Sequence, residues 1–148
     1  MSALKARVTN DMKLAMKAKD KAALKAVRMI LGAIKQREVD ERIELDDAQV
    51  LTVIQKMVKQ RKDSISQFQA GGRDDLVEKE ENELKIVEKF LPEQLSYIEI
   101  EKIVSDSINS TGASNISDMG RVIKNVMEHV KGAADGKTIS EITRKLLA

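Results

Sequence analysis

The sequence lacks several residue types that whole classes of protein require. Cysteine and tryptophan are absent from its 148 residues, there is one proline and one histidine, and aromatic side chains make up 2%. Without cysteine the chain can form neither a disulfide framework nor a thiolate metal site. The amino terminus shows no secretory signal pattern, and no apolar run is long enough to cross a bilayer. We therefore expect a cytoplasmic protein without a membrane partner.

Charged and helix-forming residues make up most of the sequence. Asp, Glu, Lys and Arg account for 34% of the chain, and Ala, Leu, Val and Ile recur at spacings of three and four residues. This composition favours helices over sheets, and the spacing places the apolar side chains on one face of each helix. The predicted fold class is therefore all-α.

The single proline divides the predicted helices into two groups. Pro92 has no amide hydrogen and disfavours the helical conformation at the residue before it, so a helix arriving there must end. Apolar side chains on both sides predict a packed interdomain elbow. The predicted elbow consists of Phe90, Leu91, Pro92 and Leu95. We predict a bundle of about four helices in residues 1–92 and a small three-helix domain in residues 93–148.

Capping motifs set several of the predicted helix boundaries. A polar residue followed three positions later by Glu or Gln, as at Asp46–Gln49 and Ser96–Glu99, is typical of a capping box. Asp20 is the predicted cap of the second helix. Other caps stay open between Asp74 and Asp75 for the fourth helix and between Ser114 and Asn115 for the sixth. The apolar stripes predicted to be buried include Met16 in the first helix and Met127 in the sixth.

Charge is distributed in two blocks of opposite sign. Residues 1–37 hold ten Lys or Arg against two Asp, whereas residues 74–93 hold eight acids against three Lys. Two interpretations stay open. The blocks attract each other as solvated faces of one bundle, or the basic block binds an anionic partner.

Two features resemble catalytic or metal sites but lack the residues that such sites need. His129 is the only histidine and lies off the apolar stripe of its helix, so we predict a surface histidine rather than a metal ligand or base. Gly136-Lys137-Thr138 resembles the end of a P-loop, but Lys131 stands where that motif needs its first glycine, and no strand precedes it. We therefore predict no catalytic residue, no metal and no cofactor.

The same glycine turn has a second interpretation that needs no nucleotide hydrolysis. Exposed amides at the start of a helix attract phosphate, and Lys131 and Lys137 flank this turn. The alternative is a simple helix cap and turn. Because the three aromatic side chains are not interleaved with basic residues, stacking on single-stranded bases is not supported. The expected contacts are therefore the backbone phosphates of a structured RNA.

Several short motifs, found in order along the whole chain, resemble the GatB/YqeY family. The central motif is Phe90-Leu91-Pro92-Glu93-Gln94-Leu95. The others are Asp11-Met12-Lys13, Ala15-Met16-Lys17, Lys19-Asp20-Lys21, Lys59-Gln60-Arg61-Lys62-Asp63-Ser64, Asp118-Met119-Gly120-Arg121-Val122, Lys131-Gly132 and Ala134-Asp135-Gly136. The chain is similar to a stand-alone bacterial member of this family.

The resemblance implies two all-helical domains and a link to tRNA. The family is related to the carboxy-terminal region of the GatB component of aspartyl/glutamyl-tRNA amidotransferase, a carbon–nitrogen ligase with glutamine as amido-N-donor. In that enzyme the region helps to recognise tRNA, and the catalytic groups lie in a separate domain without a counterpart in this sequence. The resemblance therefore implies a non-catalytic, tRNA-associated adaptor. Its implied protein partner is an amidotransferase or another protein of tRNA synthesis.

Two alternative functions stay open beside the adaptor. The first is an amidotransferase-related enzyme or enzyme component, acting as ligase or amidase, that needs a partner for catalysis. The second is a protein-interaction module that docks through its opposite charge blocks.

We predict that tRNA or another structured RNA contacts the turn between the last two helices and its neighbours. The predicted contact residues are Arg121, Lys124, Lys131, Gly132, Gly136, Lys137, Arg144 and Lys145. An auxiliary basic face on the first helices consists of Lys13, Lys17 and Lys21. Such binding is expected to weaken steeply with salt, because each neutralised phosphate releases counterions.

Overall fold

The computed structural model describes residues 2–148. Within this range the chain forms seven α-helices, one short 3₁₀ turn and no strand, which confirms the all-α fold class. The chain divides into two compact units. The N-terminal unit ends at Leu91, and the C-terminal unit is Pro92–Ala148. None of the described helices is both long enough and apolar enough to cross a membrane.

The N-terminal unit consists of four helices. Their bounds are Ala3–Ala18 for α1, Lys21–Glu41 for α2, Asp47–Ala70 for α3 and Asp74–Glu88 for α4. As predicted, Asp20 caps α2 by accepting a hydrogen bond from the amide of Ala23 at 3.1 Å. Asp46 and Gln49 form the predicted capping box at the start of α3. These caps satisfy amides that have no partner within the helix, so they fix where α2 and α3 begin.

Aliphatic side chains from these four helices form one core with Phe90. The fully buried members of that core include Val8, Ile30, Ile34, Leu45, Val50, Ile54 and Val87. Phe90 is 2% exposed and lies beneath two cations, since the Arg7 guanidinium and the Lys89 ammonium are 5.2 and 5.3 Å from its ring centroid. Both distances are within cation–π range. Leu91, the last residue of the unit, also packs against this core.

A charged pair is buried among the helices of the N-terminal unit. Arg61 of α3 is 6% exposed and Glu83 of α4 is 8% exposed, with 3.6 Å between Arg61 Nη2 and Glu83 Oε2. Lys25 of α2 approaches the other oxygen of the same carboxylate at 3.5 Å. Three helices therefore share one buried carboxylate, which fixes their register relative to one another.

The C-terminal unit consists of three helices and the 3₁₀ turn Ile116–Asp118. The helices are α5 at Tyr97–Thr111, α6 at Met119–Val130 and α7 at Gly136–Leu147. Ser96 caps α5 as predicted, accepting from the amide of Glu99 at 3.2 Å. Val122, Val126 and Val130 lie four residues apart on α6 and are buried, so one stripe of this helix forms the centre of the core.

The rest of the C-terminal core is aliphatic, with a few internal hydrogen bonds. Its other buried members are Ile100, Val104, Ala134, Ile139, Ile142 and Leu147, and Leu95 packs against them. The buried hydroxyl of Thr143 donates to the carbonyl of Ile139 at 2.7 Å. Ser107 of α5 donates to the side-chain oxygen of Asn125 on α6, also at 2.7 Å. These bonds satisfy polar groups that would otherwise be costly to bury.

Several predicted details are wrong. Neither Asp74 nor Asp75 caps α4, because Arg73 holds the cap position without a side-chain cap, and the Asp75 carboxylate instead pairs with the Arg73 guanidinium at 3.2 Å. Asn115 caps the 3₁₀ turn and not α6, which begins at Met119. Met16 and Met127 are 50% and 40% exposed. Smaller side chains one position away occupy the interior, since the neighbouring Ala15 and Val126 are buried in their place.

Candidate nucleic-acid interface

The predicted contact surface is built around the turn that joins α6 to α7. Lys131 ends α6 in the left-handed conformation, with φ of 44°, and Gly132 follows with φ of 86°. Two successive positive φ angles reverse the chain within a few residues, and glycine adopts the second without strain. The amide of Ala133 then donates to the carbonyl of Val130 at 2.9 Å and closes the turn.

The segment after Pro92 holds this turn in place. The Leu95 amide donates to the Ala133 carbonyl at 2.8 Å, and the Gln94 side-chain amide donates to the Gly132 carbonyl at 3.1 Å. The same Gln94 nitrogen also donates to the Pro92 carbonyl at 2.9 Å. Gly132 itself is buried, so it shapes the turn and presents no side chain to a ligand. Lys131 is exposed on a backbone that is fixed on both sides.

The start of α7 is capped by a carboxylate from its own chain. Asp135 accepts a hydrogen bond from the amide of Thr138 at 2.7 Å. One of the amides that could attract a phosphate is therefore already occupied, and the carboxylate lies at the positive end of the helix dipole. Of the two interpretations of the glycine turn, the geometry favours the cap. Any attraction of an anion to this region therefore depends on the cationic side chains around the turn rather than on the amides of α7.

Most of the predicted cations in the C-terminal unit have no carboxylate partner. Within residues 2–148, five of them have no carboxylate oxygen within 4.0 Å. These five, all exposed, are Lys124, Lys131, Lys137, Arg144 and Lys145. Arg121 differs from them, because its Nη2 lies 3.3 Å from Asp118 Oδ1. The pKa of Asp118 is lowered by the hydrogen bond from the Ser114 amide and by the nearby Arg121 charge.

Helical spacing brings the unpaired cations of α7 to one side of that helix. Lys137 and Arg144 are seven residues apart, which is two turns and about 10 Å along the axis. Residues 119–148 hold six Lys or Arg against three acids, whereas α5 holds three acids against one Lys. The positive side of the C-terminal unit is therefore formed by α6, the turn and α7, and α5 does not contribute to it.

The predicted auxiliary face lies in the N-terminal unit and is also unpaired. Lys13, Lys17 and Lys21 are exposed, and no carboxylate of residues 2–148 lies within 4.0 Å of them. Across the described residues, a basic-block cation pairs with an acidic-block carboxylate only once, between Lys25 and Glu83. The mutual neutralisation of the two blocks is therefore slight, and most of the basic block remains available to an anion.

The single histidine lies on the surface, as its position off the apolar stripe predicted. His129 is exposed, and its Nδ1 donates to the carbonyl of Asn125 at 2.9 Å. That bond is local to α6 and leaves the ring beside its own helix. No group of three or more His, Cys, Asp or Glu side chains that could hold a metal ion occurs within the described part of the chain.

Sequence reasoning missed two features that shape the candidate surfaces. No local pattern indicated that Gln94 would bind the turn some forty residues later, because that contact depends on tertiary structure. The second feature is a groove on α2 where Lys25 and Arg28 lie beside Lys21. The sequence did contain a signal for this groove, since positions four and seven residues apart share one helix face.

Comparison with known proteins matches nearly all of the chain to one family. The family described as Yqey-like protein matches residues 5–147. This match confirms the resemblance inferred from the motifs around Pro92 and elsewhere in the sequence.

Individual relatives come from yeasts, and each carries the name "Altered inheritance of mitochondria protein 41, mitochondrial". The Kluyveromyces lactis protein is 43% identical over 86 residues, which is 57% of this chain and 46% of that protein. The Lachancea thermotolerans protein is 36% identical over 115 residues, or 76% of this chain and 62% of that protein. A Saccharomyces cerevisiae protein is 42% identical over 82 residues, or 55% and 44% of the two chains. The chain thus spans about half to three fifths of the length of these relatives.

These relatives correct two predictions. The expectation of a bacterial and cytoplasmic protein is wrong, because the matched proteins are yeast proteins that are named as mitochondrial. The cytoplasmic expectation rested on missing cysteine and a missing secretory signal pattern, and the bacterial one on the family resemblance. Those features argue only against the secretory route, and they do not distinguish the cytoplasm from the interior of an organelle.

Proposed function

Because the chain belongs to the YqeY-like protein family, we propose that it is a non-catalytic adaptor that binds tRNA or another structured RNA through backbone phosphates. The single observation that carries the proposal is the group of five exposed, unpaired cations on α6, the turn and α7. Phosphate contacts of this kind position a protein on a nucleic acid without reading its sequence. The proposed binding is therefore shape-directed and of low sequence specificity.

The rigidity of the turn supports this proposal. Hydrogen bonds from Gln94 and Leu95 hold the backbone on which Lys131 is displayed. A cation on a fixed backbone loses less conformational entropy when it binds than one on a mobile loop. The Lys131 side chain still moves, but the backbone that carries it is fixed before RNA binds.

The use of the nearby hydroxyl groups supports an adaptor rather than an enzyme. Thr143 donates to the Ile139 carbonyl, and Ser107 donates to Asn125, so both hydroxyls have structural partners. The side chains of the predicted contact residues around the turn are ammonium and guanidinium groups that attract anions. They offer no pair of nucleophile and base within hydrogen-bond reach.

The test is fluorescence anisotropy of labelled tRNA with the full chain at low salt. Lys131→Ala with Lys137→Ala is expected to weaken binding roughly tenfold, since each exposed charge contact contributes up to about 1 kcal/mol. Lys56→Ala with Lys59→Ala removes the same charge from exposed positions of α3 and is the matched control. Because the relatives are named as mitochondrial, mitochondrial tRNA is tested beside bulk tRNA.

Absence of binding at low salt would remove the proposal, as would equal losses in both double variants. Release of glutamate from glutamine by the purified chain, measured in parallel, would contradict the non-catalytic part of it.

A further inference from the structure

A basic groove on α2 of the N-terminal unit is formed by residues other than the five cations that carry the proposed function. Lys21, Lys25 and Arg28 line it, and Leu24 and Met29 supply its apolar wall. The three cations are spaced by four and three residues, so they lie on the same face of the helix. The groove lies along one side of α2, is largely open to solvent and has a volume of about 450 Å³.

A buried guanidinium lies directly behind the wall of this groove. Arg61 is 6% exposed, and its Nη2 lies 3.4 Å from the sulfur of Met29, a weak acceptor. Its Nε is buried and has no hydrogen-bond partner among residues 2–148. A guanidinium carries five donors, so this one is poorly satisfied by its own fold. Native proteins rarely bury donors in this way, and such a group needs an explanation.

The cations around the groove outnumber the carboxylates that pair with them or adjoin them in sequence. Glu83 is the one carboxylate of the described residues that pairs with these cations, and it is shared between Arg61 and Lys25. Asp20, which caps the same helix through the Ala23 amide, precedes Lys21 in sequence. Four cations therefore stand against two carboxylates. Lys21 and Arg28 have no carboxylate of residues 2–148 within 4.0 Å.

We propose that this groove binds the phosphate group of a nucleotide, with Lys21, Lys25 and Arg28 around the phosphate. The side chain of Met29, a residue 41% exposed, and that of Leu24 give the flat base an apolar surface. Arg61 adds positive potential from behind this wall. The nucleotide is either free in solution or one unit of an RNA strand. The inference does not rest on the proposed function, which uses cations of the C-terminal unit.

The groove contains its own spectroscopic probe. The full chain labelled with ¹³C at its methionine methyl groups gives a small number of signals, and the loss of one signal in Met29→Leu assigns Met29. Met127, exposed on α6, reports the C-terminal unit in the same spectrum. AMP is expected to move the Met29 signal in a saturable manner. Adenosine, and sodium chloride at the same ionic strength, are expected to leave it in place.

Charge-removing variants separate the groove from general attraction to anions. Lys21→Gln with Arg28→Gln is expected to reduce the AMP-dependent Met29 shift at a fixed AMP concentration at least fivefold. Lys56→Gln with Lys59→Gln, which removes equal charge from exposed positions of α3, is expected to preserve it. All four positions are exposed, so each variant keeps the core of the unit intact.

Each outcome of this experiment supports or contradicts the proposal that the groove binds a nucleotide phosphate. A Met29 shift with AMP supports it with free nucleotide as ligand, and a shift with an RNA hairpin but not with AMP supports it with RNA as the source of the phosphate. No shift of Met29 with either ligand overturns it, and so does a shift that survives the loss of Lys21 and Arg28. If RNA moves Met127 while neither RNA nor AMP moves Met29, the proposed function stands and the groove proposal falls.

Discussion

The two units of the chain pair their charged side chains to different extents. Of the ion pairs formed within residues 2–148, all but one lie in the N-terminal unit, where several join α1 to α2, α2 to α4 and α3 to α4. The one pair of the C-terminal unit, Arg121 with Asp118, is local to the start of α6. The N-terminal unit therefore uses part of its charge to join its own helices. The C-terminal unit leaves most of its cations exposed to solvent and available to a partner.

This difference shows that the charge density of a sequence segment does not tell which of its cations the fold leaves unpaired. In the sequence the strongest positive block is residues 1–37, and residues 119–148 are only modestly basic. Within the first block, Lys5 and Arg37 bind Glu38 and Glu41 at 2.9 and 2.5 Å. The cations of this block that have no carboxylate partner, chiefly on the exposed face of α1 and α2, remain available to bind an external anion. Counting charges along the chain cannot separate the two groups.

The largest predicted effect is on the buried charge of the N-terminal unit. Arg61→Met removes the buried partner of Glu83, and the free energy of unfolding is expected to fall by about 3 kcal/mol, because the buried carboxylate keeps only the more exposed Lys25 as a compensating charge. Urea unfolding followed by the methyl signal of Met57, a core residue of this unit, measures it.

The same pair offers a control for this prediction. Arg61→Met combined with Glu83→Met removes both charges, and most of the lost stability is expected to return, since an apolar pair of similar volume is often no less stable than a buried ion pair. If the free energy of unfolding of Arg61→Met lies within about 1 kcal/mol of the parent's, the ion pair contributes little to the stability of the fold.

The second prediction concerns the cap of α7 in the C-terminal unit. Asp135→Ala is expected to lower stability by about 1 kcal/mol, because the Thr138 amide loses its acceptor. Asp135→Asn keeps the cap, since Asn is as good an N-cap as Asp, and removes a negative charge beside Lys137. Its RNA affinity is expected to rise roughly two- to fivefold, the effect of one exposed charge. Thermal unfolding and anisotropy measure the two effects separately.

An unchanged or weaker affinity in Asp135→Asn would contradict the assignment of the turn as an RNA contact. Asp106→Asn, on the acidic helix α5 of the same unit, provides a variant of equal charge change at an exposed position away from the turn. It is expected to leave RNA binding nearly unchanged.

The third and smallest predicted effect is the acid sensitivity of the N-terminal unit. Hydrogen bonds from Lys5 and from the Leu45 amide lower the pKa of Glu38 below its ordinary value of 4.5. The pKa of Asp47 is lowered by bonds from Ser2 and the Leu4 amide. Folding lowers both pKa values, so their contribution to stability is complete above the ordinary pKa and is lost as pH falls through the lowered one. Stability is therefore expected to decline below about pH 4.5.

Glu38→Gln tests this pH dependence. The variant cannot titrate at this position, so its stability is expected to fall less steeply between neutral and acidic pH than that of the parent. Urea midpoints measured across the acid range compare the two slopes. Equal slopes would show that Glu38 is as free to titrate in the folded chain as in the unfolded one.

The sequence predicted those parts of the structure that depend on local patterns. Apolar spacing indicated the helices, and the chemistry of Asp20, Asp46 and Ser96 indicated where three of them begin, because capping involves residues only three positions apart. The failure at Asp74 and Asp75 has a local cause as well. Arg73, whose side chain has no acceptor, occupies the cap position, and its guanidinium binds the carboxylate of Asp75.

The parts that the sequence could not predict depend on contacts between distant residues. Nothing local to Arg61 indicated that it would be buried against Glu83, since charged residues at helical spacing usually face solvent. The candidate RNA contacts were identified by residue type. Whether each cation is available to an anion depends on whether the fold gives it a carboxylate partner, which the sequence does not show. Gly132 is also among the predicted contacts, and its burial and positive φ give it a conformational role in the turn.

The most direct test of the contrast between the two units is the salt dependence of RNA affinity. The slope of log affinity against log salt reports how many phosphates the protein neutralises. Lys131→Ala with Lys137→Ala is expected to reduce the magnitude of that slope by roughly two, about one for each lost phosphate contact. Lys56→Ala with Lys59→Ala is expected to leave it unchanged. Equal slopes in the parent and both variants would contradict the claim that the unpaired cations around the α6–α7 turn hold the RNA.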